Sequence, residues 1–161
     1  MKILFVCLGN ICRSPAGEGV MEHLVTKAGL GHKFEVDSAG TGGWHVGEYA
    51  DSRMSAAAKR RGIHLKSIGR QIKKDDFYHF DYIVTMDEDN YQTCLARQPA
   101  DGSAILAPMK TYVHSESISG IPDPYYGGDQ GFERVLDLLE EGCKNLLKSI
   151  LEEKQGGERK P

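Results

Sequence analysis

The chain has no run of about 18 apolar residues, so no helix of it is expected to cross a membrane. Its start lacks the ordered charged and apolar regions of a secretion signal, because the opening apolar run, Ile3 to Val6, is far too short. Cysteine is scarce, with four in 161 residues. A chain of that length buries a core without covalent staples, so reduced thiols and a cytoplasmic location are expected. A strong charge of one sign is also missing. The net charge is −3, which argues against nucleic acid and against anionic membranes as partners. No histidines and carboxylates cluster at metal-ligand spacing, so neither a metal nor another cofactor is expected. There is no internal repeat and no linker. Residues 1–154 are expected to form one domain, and 155–161, charged and glycine-containing, a disordered tail.

What is present begins at the N-terminus. Ile3 to Val6 reads as a short buried strand ending at Cys7. Ser14-Pro15 reads as a helix start, with Ser14 as N-cap and Pro15 in the first turn. The segment between is a tight loop that opens on Cys7 and closes on Arg13. A loop wrapping from a strand onto a helix N-terminus points backbone N–H groups inward, at the positive end of the helix dipole, and so makes a site for phosphate or a similar oxyanion. Gly9 allows a tight turn, and Asn10 tolerates left-handed dihedrals. Arg13 adds a planar fork that holds two phosphate oxygens at once. Such surroundings favour a thiolate at Cys7, and a thiolate under a bound phosphate is a nucleophile aimed at phosphorus.

The rest of the chain alternates. A helix is expected over 14–29, with Val20, Met21, Leu24 and Val25 inward and two weak positions at Gly17 and Gly19, each costing about 1 kcal/mol against alanine. Strands are expected over 34–39, 81–86 and 104–106. Helices are expected from Asp51 or Ser52 to Arg61, from Asp87 to Arg97, and from Phe132 to Glu153, with a helical turn after Asp75. Residues 108–120 read as irregular. Strands alternating with helices imply a single α/β domain, a four-stranded parallel sheet with helices on both faces, and a ligand site beyond the strands' carboxyl ends.

Ester cleavage needs a proton for the leaving oxygen. Asp123, held between Pro122 and Pro124, is the candidate acid. Trp44 in a glycine-rich loop and Tyr125 and Tyr126 beside Asp123 are candidate aromatic walls for an aryl ring. A deep slot of that kind admits phosphotyrosine and leaves phosphoserine too short to reach its floor.

Cys7-Leu8-Gly9-Asn10-Ile11-Cys12-Arg13-Ser14-Pro15 closely resembles the signature loop of the low-molecular-weight protein tyrosine phosphatases, and Asp123-Pro124-Tyr125-Tyr126 resembles that family's general-acid loop. The resemblance implies the family's parallel-sheet fold and hydrolysis of phosphotyrosine and aryl phosphates through a cysteinyl-phosphate. Cys7 would be the nucleophile, Arg13 the phosphate binder and Asp123 the acid and then the base. It also implies that Ser14 donates to the Cys7 thiolate, that Asn10 holds the loop's shape and is anchored by Ser38, and that Leu8 and Ile11 line the lower cleft. A histidine usual near the site is replaced here by Ser67, and the role is not transferred to His64. Ile11 favours tyrosine, whereas relatives acting on phosphoarginine tend to carry threonine there. An arsenate reductase of this fold would need a further redox pair, and Cys94 and Cys143, far apart on expected helices, read as small buried apolar groups. Cys12, five residues from Cys7 in a folded-back loop, is the candidate partner for a reversible Cys7–Cys12 disulfide. The expected partners are tyrosine-phosphorylated proteins, and the expected state is a monomer or weak dimer.

Overall fold

The structure is a computed structural model, and it describes residues 1–124 and 128–158. The described residues form four strands and five helices: β1 Lys2–Cys7, α1 Arg13–Lys27, β2 Glu35–Gly40, α2 Ser52–Arg60, α3 Asp76–His79, β3 Tyr82–Thr85, α4 Glu88–Arg97, β4 Ile105–Pro108 and α5 Asp129–Glu158. The strands form one parallel sheet in the order β2-β1-β3-β4, with Phe5 paired to Ser38 on one side and to Val84 on the other. The expected single α/β domain is therefore the observed one. No helix among the described residues is long and apolar enough to cross a membrane.

β1 is central, and its run Ile3–Cys7 is buried throughout. Side chains alternate across a strand, so a central parallel strand must be apolar on both faces. Ile3, Phe5 and Cys7 enter one core with α1, α2 and α5, whereas Leu4 and Val6 enter the other with Phe77, Phe80 and Cys94. β1 also marks the reversal of strand order, since β2 lies to one side and β3 to the other. The loop leaving it therefore opens into the crevice where such sheets bind ligands.

The two weak positions of α1 have a packing reason. A Cβ at Gly17 would lie 2.7 Å from the Phe5 ring and 2.9 Å from Met86, and one at Gly19 would lie 2.4 Å from Leu65. Alanine would recover about 1 kcal/mol of helix propensity. Overpacking costs about 1–3 kcal/mol, so glycine wins where α1 presses on the sheet at Gly17 and on the segment after α2 at Gly19.

Several boundaries differ from expectation. α1 starts at Arg13, with Cys12 at its N-cap and no side-chain capping bond. Ser14 is therefore the second residue of the helix, not its cap, and its hydroxyl is free for other work. β4 runs on to Pro108, and a 3-10 turn, Met109–Tyr112, follows where irregular chain was expected. α5 starts at Asp129 and continues to Glu158. The expected disordered tail is thus helical at its start, and residues 159–161 lie outside the described ones.

Candidate active site

The loop after β1 is tied down from outside. The Cys7 carbonyl accepts from Thr41 N at 2.9 Å, Leu8 from Gly42 N at 2.9 Å, Ile11 from Asp51 N at 2.7 Å and Cys12 from Ala16 N at 3.1 Å. A trans peptide points its C=O and the next N–H in opposite directions. Carbonyls drawn outward therefore turn the N–H groups of Leu8, Gly9, Cys12 and Arg13 toward the inside of the loop. This is the amide-lined cup expected of an oxyanion site.

Asn10 supplies the turn that closes the cup. Its φ is 57°, the only positive value at a non-glycine among the described residues. Gly9 does not take a left-handed conformation, contrary to its expected part in the turn. Its missing side chain instead leaves room for His45, whose ring would lie 3.1 Å from a Cβ there. The Asn10 side chain holds the loop from both ends of its amide. Its Nδ2 donates to Ser14 Oγ at 2.8 Å, and its Oδ1 accepts from Arg70 N at 3.0 Å.

Ser14 Oγ, which accepts from Asn10 Nδ2, also lies 3.0 Å from Cys7 Sγ, and toward a thiolate there the hydroxyl is the donor. The Asn10 N–H also reaches Cys7 Sγ, at 3.3 Å. The Ser14 hydroxyl and the Asn10 N–H thus converge on one buried sulfur.

Arg13 is buried and clamped from outside the loop. Its Nη1 donates to Asp87 Oδ2 at 2.6 Å and to the Ile121 carbonyl at 3.0 Å. Its Nη2 lies 3.8 Å from Asp123 Oδ2. The clamp holds the Nη1 corner of the guanidinium, and the side chain lines the same cavity as Cys7. Cys7, Leu8, Gly9, Ile11, Cys12, Arg13, Trp44, His45 and Asp123 line one cavity of about 310 Å³, room for a phosphate and a ring. Trp44 forms part of its wall, lying over Gly42. Tyr125 and Tyr126, the other expected walls, lie outside the described residues.

The Ser38 anchor is a correction. Its hydroxyl donates to Glu18 Oε1 at 2.7 Å and not to Asn10. Asn10 takes its second bond from the main chain at Arg70, which makes a side-chain anchor unnecessary. Arg70 is in turn gripped by Asp37 at 3.0 Å and Asp76 at 3.0 Å. Desolvation on burial pulls the Arg70 guanidinium down, but its bonds and charge pairs with Asp76 and Asp37 prevail and raise it overall. Among the described residues, Ser67 adds no hydrogen bond to this network.

Three supporting residues escaped the sequence reading. Asp87 was taken only as a helix start. It does cap α4, accepting from Asn90 N at 2.9 Å, while its other oxygen clamps Arg13. The signal was available, because it stands just past β3 at the same end of the sheet as Cys7. Arg70 and Glu18 carried no local signal, since their partners come from other segments.

All four cysteines are free thiols. Cys94 and Cys143 are buried in the cores on opposite faces of the sheet, so they cannot meet. Burial pushes the Cys94 thiol up to about 11 and raises Cys143 as well. Cys12 shares the Cys7 cavity, and burial, with Asp51, Cys7 and Asp123 nearby, pushes its thiol up to about 12.

The fold thus defines an α/β protein with a buried thiol and a buried arginine on one strand-to-helix loop, at the switch point of a parallel sheet. The comparisons with known proteins name the class more closely. Residues 2–156 match the model of the low molecular weight phosphotyrosine protein phosphatases. The low molecular weight protein-tyrosine-phosphatase YfkJ of Bacillus subtilis is 39% identical over 156 residues, covering 96% of this chain and 99% of that one. A protein tyrosine phosphatase of Entamoeba histolytica superposes with a TM-score of 0.92 at 47% identity, covering 96% and 99% of the two chains. A Drosophila arginine phosphatase superposes with a TM-score of 0.88 at 34% identity, covering 93% and 98%. The chain belongs to the low molecular weight phosphotyrosine protein phosphatase family.

Proposed function

We propose that this chain is a protein-tyrosine phosphatase that cleaves phosphotyrosine and small aryl phosphates through a cysteinyl-phosphate. The observation that carries the reading is the convergence of the Ser14 hydroxyl and the Asn10 N–H on Cys7 Sγ, beneath a cup bordered by Arg13 and Asp123. The Cys7 thiolate attacks phosphorus in line. The S–P bond forms, the ester P–O bond breaks, and Asp123 gives its proton to the departing phenolate. Asp123, now a carboxylate, takes a proton from water as that water attacks phosphorus and expels the thiolate. Arg13 and the loop amides hold the three equatorial oxygens through both steps.

Ile11 and the wall at Trp44 support an aryl substrate over phosphoarginine. The separation of Cys94 from Cys143 tells against a reductase relay. A Cys7–Cys12 disulfide under oxidation belongs to the same reading, supported by the cavity the two thiols share. The test is turnover of para-nitrophenyl phosphate without arsenate or a reductant relay. Cys7→Ser abolishes it, and Asp123→Ala slows the first step by about 10² to 10⁴. An Asp123→Ala enzyme unimpaired on poor leaving groups would remove the acid from this scheme.

A further inference from the structure

Five of the eight large hydrophobic side chains exposed among the described residues stand on three segments at the mouth of the cup. They are Leu8 (48% exposed), Trp44 (69%), Val46 (60%), Tyr49 (77%) and Ile68 (55%), and only Tyr78, Leu95 and Ile105 lie elsewhere. Single exposed apolar residues are ordinary, whereas a group of them marks an interaction surface. Leu8 and Trp44 belong to the cavity wall; Val46, Tyr49 and Ile68 do not line it. Val46 and Tyr49 follow the cavity residues Trp44 and His45 on the same loop, and Ile68 is bridged to Tyr49, so the three stand beside the rim.

The extension is held in place by its backbone. Gly47 N donates to Gly69 O at 2.9 Å, and Gly69 N donates to Glu48 O at 2.8 Å. Next to these bonds Tyr49 and Ile68 form an isolated antiparallel bridge. Directly opposed residues of an antiparallel pair project on the same side, with Cβ atoms about 4.5–5.5 Å apart. The segment is also pinned to the cup itself, through Gly42 N to Leu8 O and Asp51 N to Ile11 O. The patch is thus a prepared surface continuous with the cup, not a loose loop.

We propose that this patch docks the polypeptide on either side of the substrate's phosphotyrosine, and that it selects large apolar residues there. The proposal rests on the phosphatase reading and deepens it. With the phosphate on Cys7, the substrate's aryl ring fills the slot and its main chain lies at the rim. In an extended segment neighbouring side chains then fall alternately to the two sides. One side meets Val46, Tyr49 and Ile68. The charge at the rim opposes an acidic flank, because the exposed carboxylate of Glu48 stands within the patch.

The experiment compares para-nitrophenyl phosphate with phosphotyrosine peptides of equal length whose flanks are Leu/Val, Ser/Gly or Asp/Glu. The expected order of kcat/KM is apolar, then neutral polar, then acidic, with the first at least about tenfold above the second, the discrimination one apolar contact supplies. In the combined variant Val46→Ser, Tyr49→Ser and Ile68→Ser, that preference collapses to about onefold through a rise in KM, while turnover of para-nitrophenyl phosphate is unchanged. If the combined variant loses aryl phosphatase activity, the single variants Ile68→Ser and Val46→Ser are read instead, each expected to lose part of the preference. Equal rates on the three peptides, or a preference that survives in the variants, overturns the proposal. Sedimentation showing a dimer that dissociates in the variant assigns the patch to a second copy and overturns it too. A wild-type enzyme inactive on para-nitrophenyl phosphate, by contrast, refutes the phosphatase reading itself.

Discussion

Replacing Glu18 by glutamine removes one titration from the interior and keeps the shape of the side chain and its bond from Ser38. Glu18 lies on α1 one turn beyond Ser14, buried beneath β2, where it accepts the Ser38 hydroxyl at 2.7 Å. Burial pushes its carboxyl from 4.5 up to about 7. The Ser38 bond opposes that rise; Glu22 and Asp37 add to it, and Lys66, paired with Glu22 at 3.3 Å, subtracts from it. Below pH 4.5 the folded and unfolded chains both carry the proton, and the site costs nothing. As the pH rises through the window from 4.5 to about 7 the unfolded chain releases it while the folded one retains it, so the unfolded state gains. At about 1.4 kcal/mol per pH unit, the wild-type fold loses about 3 kcal/mol across that window, and the loss is complete above it. Glutamine has no such loss. Urea unfolding of both proteins at pH 4.5, 6 and 8 measures the difference between them, in which every other titration cancels. That difference is expected to move by about 3 kcal/mol in favour of Glu18→Gln between the two extremes. A difference that stays constant with pH refutes the reasoning, for then Glu18 ionises in the folded protein as easily as in the unfolded one.

Two further substitutions probe the loop and its clamp. Asp87→Asn keeps the helix cap but removes the charge facing Arg13. A hydrogen bond to a charged group is worth about 1.5–3 kcal/mol, so kcat/KM on an aryl phosphate is expected to fall by about 10- to 100-fold, with weaker inhibition by inorganic phosphate. An unchanged kcat/KM means that Arg13 keeps its place without the pair. Asn10→Ala and Asn10→Gly separate backbone shape from side-chain bonding at φ 57°. Thermal unfolding is expected to show glycine more stable than alanine by about 1 kcal/mol, the cost of a left-handed non-glycine. Both variants lose the bonds to Ser14 and Arg70, so both are expected to fall by about 30-fold in kcat, as two neutral hydrogen bonds of about 1 kcal/mol each predict. Full activity in Asn10→Gly shows that the loop's shape alone suffices.

The sequence by itself determined the features that depend on near neighbours. Ile3 to Val6 declared a buried strand, because an apolar run that short has no other use in this alternating pattern. The spacing from Cys7 to Arg13 declared an anion loop, because strand, turn and helix start are read within about fifteen residues. Asn10 declared its left-handed turn through its own chemistry. Tertiary structure decided what holds these pieces in place. Arg13 meets Asp87 and Ile121 across 74 and 108 residues, and Asn10 meets Arg70 across 60. Ser38 was assigned to Asn10 and in fact serves Glu18, while Ser14, expected both to cap the helix and to meet Cys7, only meets Cys7. A polar side chain in a sequence shows what it can bond, but several partners always qualify. The choice falls to whichever group packing brings within 3 Å in the right direction, and that is set by how the helices settle on the sheet. The same packing leaves Val46, Tyr49 and Ile68 in solvent beside the cup, where nothing in their local sequence separates them from core residues.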